Sequence, residues 1–322
     1  MNRFKVLAII VVIILAGWTG AWMFASTKIR QMAQAQFAAL KDQPQNLDCE
    51  NLDISGFPFR FDVTCTYLAI HDLDRTITIP RVKLTVLVYR PTHALLFARG
   101  PATIQDSFSG ARKELRWSSL QASLRTNGWA LARFSLQVRD LIFLDTLVGD
   151  TTIAGADLFE AHLLEEESAY DPQNRRTTIA ALARLDGLSV PDAAISGASA
   201  TMQAKLRQMP DDLRLWRPAT IAANWNETGT GLEAVELKGA DATSSFSLVG
   251  RLTTTPQHML SGNFDFFSSN VSDRLEGIVS PAIRQIAFGS KSEDGQNYQS
   301  YSLVHGVVLA GNIPITSLPP LR

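Results

Sequence analysis

Cys49 and Cys65 are the only cysteines of the 322-residue chain and the first candidates for chemistry. Two thiols can form a redox pair, half of a zinc site or a disulfide. A metal would need two more ligands, and no C-x-x-C, H-x-H or H-E-x-x-H occurs. The histidines, His71, His93, His162, His258 and His305, are scattered singly. His71-Asp72-Leu73-Asp74 reads as a polar turn, and His305 as one residue of a strand. Gly229-Thr230-Gly231-Leu232-Glu233-Ala234 has the spacing of a dinucleotide loop. That loop must open a helix, whereas Val235-Glu236-Leu237-Lys238 alternates like a strand. No G-x-S-x-G elbow or P-loop occurs, and Glu165-Glu166-Glu167 reads as a solvated turn. Asn226-Glu227-Thr228 and Asn270-Val271-Ser272 fit the glycosylation sequon, which is common by chance. Neither a catalytic residue, a cofactor nor a metal is assigned, and the chain is expected not to be an enzyme.

Between the cysteines, Gly56 and Pro58 signal a turn flanked by two strand-like runs. A hairpin centred near Phe57 puts Cys49 directly opposite Cys65, within bridging distance. The reading is a structural disulfide, which requires an oxidising compartment.

Something must carry such a hairpin out of the cytosol. Val6–Ala25 is twenty residues without a charge. As a helix it would span about 30 Å, the thickness of a bilayer core. Trp18 and Trp22 lie toward its far end, where indoles favour the interface. Arg3 and Lys5 favour a cytosolic N-terminus, while Lys28 and Arg30 weigh against it. The long apolar run and the poor cleavage sites Ala21-Trp22-Met23 and Met23-Phe24-Ala25 favour a retained anchor over a cleaved signal. Ile29, Met32, Ala33, Phe37 and Leu40 continue the helical spacing to Leu40, and Pro44 stops it. The expected organisation is an anchor with helical extension over residues 1–44 and a β-rich domain over 45–322.

After residue 44 the period changes to two. Val82, Leu84, Val86 and Val88 alternate with Lys83, Thr85, Leu87 and Tyr89. The same pattern recurs around Leu120–Leu124, Phe134–Val138, Met202–Leu206, Phe246–Leu252 and Tyr301–Leu309. Long helices are missing between these runs, which implies an antiparallel meander. Asn270–Asp273 and Ser280-Pro281 read as caps of two short helices or one kinked helix, and Pro314, Pro319 and Pro320 as an extended tail. A sheet with one apolar face must curl on itself, pack on a second sheet or bind something greasy. Lys+Arg number 30 against 31 Asp+Glu, so no field favours nucleic acid.

Cys49…Gly56-Phe57-Pro58-Phe59-Arg60…Cys65 after a terminal anchor resembles the bacterial domain-of-unknown-function family 2125 of Gram-negative alphaproteobacteria. The ending Gly306-Val307-Val308-Leu309-Ala310-Gly311-Asn312-Ile313-Pro314…Leu318-Pro319-Pro320-Leu321 fits the same family and resembles the end of AsmA-like envelope proteins. The resemblance implies a mainly β protein held in the inner membrane by Val6–Ala25. Its periplasmic body would be an elongated, curled antiparallel β-sheet with a few short helices. An apolar groove, placed on Val82, Leu84, Val86 and Val88, would carry or shield lipid. The alternative is a non-catalytic envelope scaffold with a self-filled core, whose partner is another envelope protein.

Overall fold

A computed structural model describes residues 3–40, 45–216, 231–255, 259–276, 279–292 and 295–319. Helix α1 runs from Arg3 to Leu40. Among the described residues it is the one helix long and apolar enough to cross a membrane. No side chain of α1 is buried. Its half-buried positions Trp22, Ala25, Ile29, Ala33, Phe37 and Leu40 recur at helical spacing. Pro44 lies outside the described residues.

The other described residues are predominantly strand. The strands are β1 (Gln45–Ser55), β2 (Arg60–Asp72), β3 (Arg75–Leu87), β4 (Arg90–Arg99), β5 (Ala102–Asp106), β6 (Arg112–Arg116), β7 (Ser119–Asn127), β8 (Ala130–Asp145), β9 (Thr151–Glu165), β10 (Arg176–Val190), β11 (Ile195–Pro210), β12 (Leu232–Ala240), β13 (Ser245–Thr254), β14 (Leu260–Ser269), β15 (Ser290–Lys291), β16 (Asn297–Val304), β17 (Val307–Ala310) and β18 (Ile313–Ser317). Hydrogen bonding links them into one large antiparallel sheet. By compactness the chain forms two units, residues 1–123 with 140–153, and residues 124–139 with 154–322. The first unit therefore includes α1 together with the opening strands.

In the first unit, β1, β2, β3 and β4 form a meander. Its register puts Val82 beside Cys65 and Ala98, Leu84 beside Val63 and Leu96, and Val86 beside Phe61 and Ala94. The neighbouring face carries Asp62 beside Thr85, Thr64 beside Lys83, and Arg81 between Thr66 and Arg99. Val82, Leu84 and Val86 thus share an apolar face, as their alternation predicts. Val88 does not join them. β3 ends at Leu87, which pairs with Arg90, so Val88 and Tyr89 form the two-residue turn to β4.

The cysteine hairpin departs from the expected register. Cys49 lies opposite Leu68 and Cys65 opposite Leu52, so the cysteines are not directly facing. The centre falls between Pro58 and Phe59, because the turn closes through Arg60 N–H donating to the Gly56 carbonyl at 3.1 Å. Cys49 and Cys65 are nonetheless joined as a disulfide, with Cα atoms 5.9 Å apart. Gly56 has φ +104°, and a Cβ there would stand 2.8 Å from the Arg60 carbonyl oxygen, so the turn admits glycine alone.

The second unit holds two short helices, α2 (Val271–Arg274) and α3 (Pro281–Phe288). Ser280 caps α3 by accepting from Ile283 N–H, with Pro281 in the first turn. Asn270 precedes α2 but donates its side-chain amide to the Thr243 carbonyl instead of capping. The expected single run Tyr301–Leu309 is a hairpin: Val304 pairs with Val307 across a turn at His305-Gly306, both at positive φ. The odd-numbered alternation runs unbroken along the chain but changes face at the reversal, since Leu303 pairs with Val308 and Ser302 with Leu309.

Replacing both cysteines with serine is expected to lower stability by about 3 kcal/mol, the scale for a cross-link closing a loop of this length. Denaturant unfolding in detergent, with and without reductant, measures it; reductant should weaken only the wild type.

Candidate functional site

In the second unit, register turns the period-two pattern into rows. One row across β10 to β14 reads Leu185, Ala200, Gly239, Phe246 and Ser268. The next reads Ala183, Met202, Leu237, Leu248 and Phe266. A further row reads Ile179, Leu206, Leu232, Leu252, Gly262 and Leu303. On β9, Phe159, Ala161 and Leu163 extend the same side. The opposite side carries Arg184, Thr201, Lys238, Ser247 and Phe267 in one row and Leu182, Gln203, Glu236, Val249 and Asp265 in another. One face is therefore apolar across the strands and the other is largely polar.

The apolar face is closed at one end. Leu131, Ile179 and Met209 are buried together, with Leu163, Leu206, Leu213 and Trp216 packed around them. A polar cluster pins this end. Trp216 Nε1 donates to the Pro210 carbonyl at 2.8 Å, and the Arg214 guanidinium stacks 4.8 Å over the Trp129 ring. Hydrogen bonds from Arg214 hold the Asp212 carboxyl down to about 2.

Toward the other end the face stays open. Phe246, Leu248, Phe264 and Phe266 are only half-buried, and Met202 is exposed. Helix α3 covers part of it: Phe288 meets Phe266 at 5.9 Å between centroids, and the Tyr301 hydroxyl donates to the Ala287 carbonyl. Beside α2 a recess of about 620 Å³ remains, floored by Ala198, Ala200, Gly239 and Ala240 and walled by Leu188, Ile195, Phe246, Val271 and Leu275. That volume falls within the roughly 300–1,000 Å³ typical of small-ligand sites. Gly239 is required there, because a Cβ would lie 2.4 Å from the Phe246 ring.

One ion pair marks the rim of the recess. Arg274 Nη1 lies 2.7 Å from Asp241 Oδ2. Asp241 Oδ1 accepts from the Thr243 and Ser244 amides, both at 2.8 Å. Those amides hold the Asp241 carboxyl below its ordinary range, with Arg274 adding to the effect. The site is thus an apolar trough with a fixed charged lip.

The first unit offers a second, half-exposed apolar face on β2, β3 and β4. Val82 and Val86 are half-buried, and Leu84 is 37% exposed. Its polar face has a recess of about 460 Å³ beside Arg81, Lys83, Arg99, Trp117 and Gln121. There Arg81 and Arg99 stand directly opposite each other, while Lys83 lies 5.1 Å over the Phe97 ring.

The remaining candidates stay apart. His71 bonds Thr76, His93 bonds Ser123 and His162 bonds Ser135, each through a hydroxyl on a neighbouring strand. His305 is an exposed turn residue rather than a strand residue, and His258 lies outside the described residues. Gly229 and the Asn226 sequon also lie outside them, whereas Leu232–Ala240 is strand β12. Glu165 accepts from Thr177 and Glu166 pairs with Lys205 at 3.0 Å, so this acidic run is tethered. Among the described residues, no group of three or more His, Cys, Asp or Glu could hold a metal ion. Sequence alternation marks β11, β12 and β13 but neither β9, β10 and β14 nor the trough that these strands build together. Its signal is distributed over partners far apart in the chain.

A family model described as "Uncharacterized protein conserved in bacteria (DUF2125)" matches residues 22–319. No curated protein matches the chain.

Arg99→Gln should relieve the opposed arginines and raise stability by roughly 0.2–1 kcal/mol, the scale of a cross-strand pair, as denaturant melts would show. Asp241→Asn should destabilise at neutral pH. A depressed carboxyl stabilises above its unfolded pKa and loses that contribution as pH falls through the folded one. The gap between variant and wild type should therefore close on acidification, as read by thermal melts at a series of pH values.

Proposed function

The chain belongs to the DUF2125 family of uncharacterised proteins conserved in bacteria, and from that premise we propose that it is a membrane-anchored envelope protein that shelters lipid acyl chains on an apolar sheet face, without covalent chemistry. One observation carries the reading: the apolar face of the second unit is sealed at Ile179 and half-exposed at Phe246, where the recess beside α2 opens. Burying a chain of methylenes there would be favourable by about 0.8 kcal/mol per methylene. The recess floor is made of alanine and glycine, which leaves width for a chain. The Asp241–Arg274 pair at the rim suits a polar headgroup.

The proposed placement rests on the anchor and the disulfide, against Lys28 and Arg30 after the apolar run. Arg3 and Lys5 before the apolar run favour a cytosolic N-terminus, and the Cys49–Cys65 disulfide favours an oxidising compartment for the body. The combined reading is a single-pass protein of the inner membrane with its body in the periplasm, in the manner of AsmA-like proteins. A second reading, a scaffold for another envelope protein, is favoured by β18. This strand pairs with β17 and exposes Ile313 and Ile315.

Ala200→Trp, at the recess floor, is the discriminating variant. Wild type purified gently should retain bound lipid by native mass spectrometry. The variant, folded and disulfide-bonded, should lose that fraction and keep only lipid held by α1. Equal lipid in both, or a lipid-free wild-type body, would sink the acyl-chain reading.

A further inference from the structure

The tip of the cysteine hairpin is held against the apolar part of α1. Trp18 Nε1 donates to the Pro58 carbonyl at 3.0 Å, and Trp22 Nε1 donates to the Arg60 carbonyl at 3.2 Å. Trp22 stacks on Phe61 at 5.5 Å and meets Phe57 edge-on at 5.6 Å, while Trp18 lies 6.3 Å from Phe59. These contacts fix the depth of the tip relative to the anchor. Trp18 is seven residues before Ala25, or about 10 Å inside the end of the apolar run at helical rise. Whether the bilayer boundary falls at Trp18 or at Ala25, whatever touches Trp18 lies at that boundary or within it.

The composition of the tip fits such a depth. Phe57 and Phe59 are 51% and 61% exposed although they sit on a rigid turn. The adjoining Val88–Tyr89 turn is tied to it, since Val88 N–H donates to the Phe59 carbonyl at 3.0 Å, and Tyr89 is 67% exposed. Neither turn contains an acidic residue. One row behind the aromatics come Arg60, Leu87 and Arg90, paired across β2, β3 and β4. Aromatic residues in front and arginines behind match the order from acyl boundary to phosphate layer. At the other end of the same strands the β2–β3 turn is Asp72-Leu73-Asp74-Arg75, flanked by two acids and suited to water.

We propose that the Gly56–Arg60 tip and the Val88–Tyr89 turn are inserted in the bilayer interface beside α1, as a second, shallow membrane contact. The inference rests on the reading of α1 as a membrane anchor. With two contacts, helix and tip, the first unit cannot swing about a single tether, and the apolar face carrying Phe61, Val63 and Val86 begins at the lipid surface.

The native cysteines are disulfide-bonded, so an introduced cysteine can be labelled selectively. Phe59→Cys and, as control, Leu73→Cys, each in the full chain, would carry an environment-sensitive fluorophore in phosphatidylglycerol-containing liposomes. The position-59 label should shift to the blue and be quenched strongly by lipid-borne nitroxide and weakly by aqueous iodide. The position-73 label should show the reverse. A benzophenone amino acid in place of Phe59 keeps an aromatic at the tip if the cysteine variant misfolds, and should crosslink lipid. A chain that floats with the liposomes while position 59 behaves like position 73 would overturn the tip insertion and leave the anchor standing. A chain that does not float would overturn both.

Discussion

Strand register decides which side chains of this protein share a surface. In a sheet the side-chain period is two, so shifting one strand by one residue would move its whole apolar set to the other face. In the second unit the rows Ala200–Gly239–Phe246, Met202–Leu237–Leu248–Phe266 and Leu206–Leu232–Leu252 are assembled from strands that each contribute one residue per row. No strand alone makes a hydrophobic surface. The surface exists because the antiparallel pairings agree on parity.

Such a face must be covered, and the second unit covers it unevenly. At Ile179 the bulk is large and the packing complete, with Leu131, Met209 and Trp216 converging on it. At Ala200 and Gly239 the side chains are small, and the space above them is bounded by α2 instead of filled. Gly239 shows how local the balance is. Phe246 lies across the strand because no Cβ stands in its way, and the same missing bulk leaves the floor low. The fixed charges sit at the rim, where Thr243 and Ser244 amides and Arg274 hold Asp241 ionised. The Asp241 carboxylate is thus satisfied by the chain itself.

The first unit applies the same logic around the anchor. The Gly56 turn, the Cys49–Cys65 bridge and the Trp18 and Trp22 contacts make the hairpin a rigid bracket for α1. Thr85 donates to the buried Asp62 at 2.7 Å, and Arg60 approaches the same carboxylate at 3.0 Å, which stiffens the bracket from its polar side.

The sequence by itself determined the elements that depend on local order. A twenty-residue apolar run, helical spacing to Leu40, alternation after residue 44, glycine and proline at the 56–60 turn, and Ser280-Pro281 opening a helix all rest on neighbours in the chain. The cysteine pairing was legible for the same reason, although its register was not: the turn closed through Gly56 and Arg60, which moved every opposed residue. The reversal at His305-Gly306 escaped notice because alternation is blind to direction. Only the tertiary structure decided which apolar residues share a surface, where that surface is sealed, and that Phe57 and Phe59 meet Trp22 and Trp18 across some forty positions of sequence. Those facts depend on pairings between distant segments, and a linear pattern carries the parity of each strand without the partner that gives it meaning.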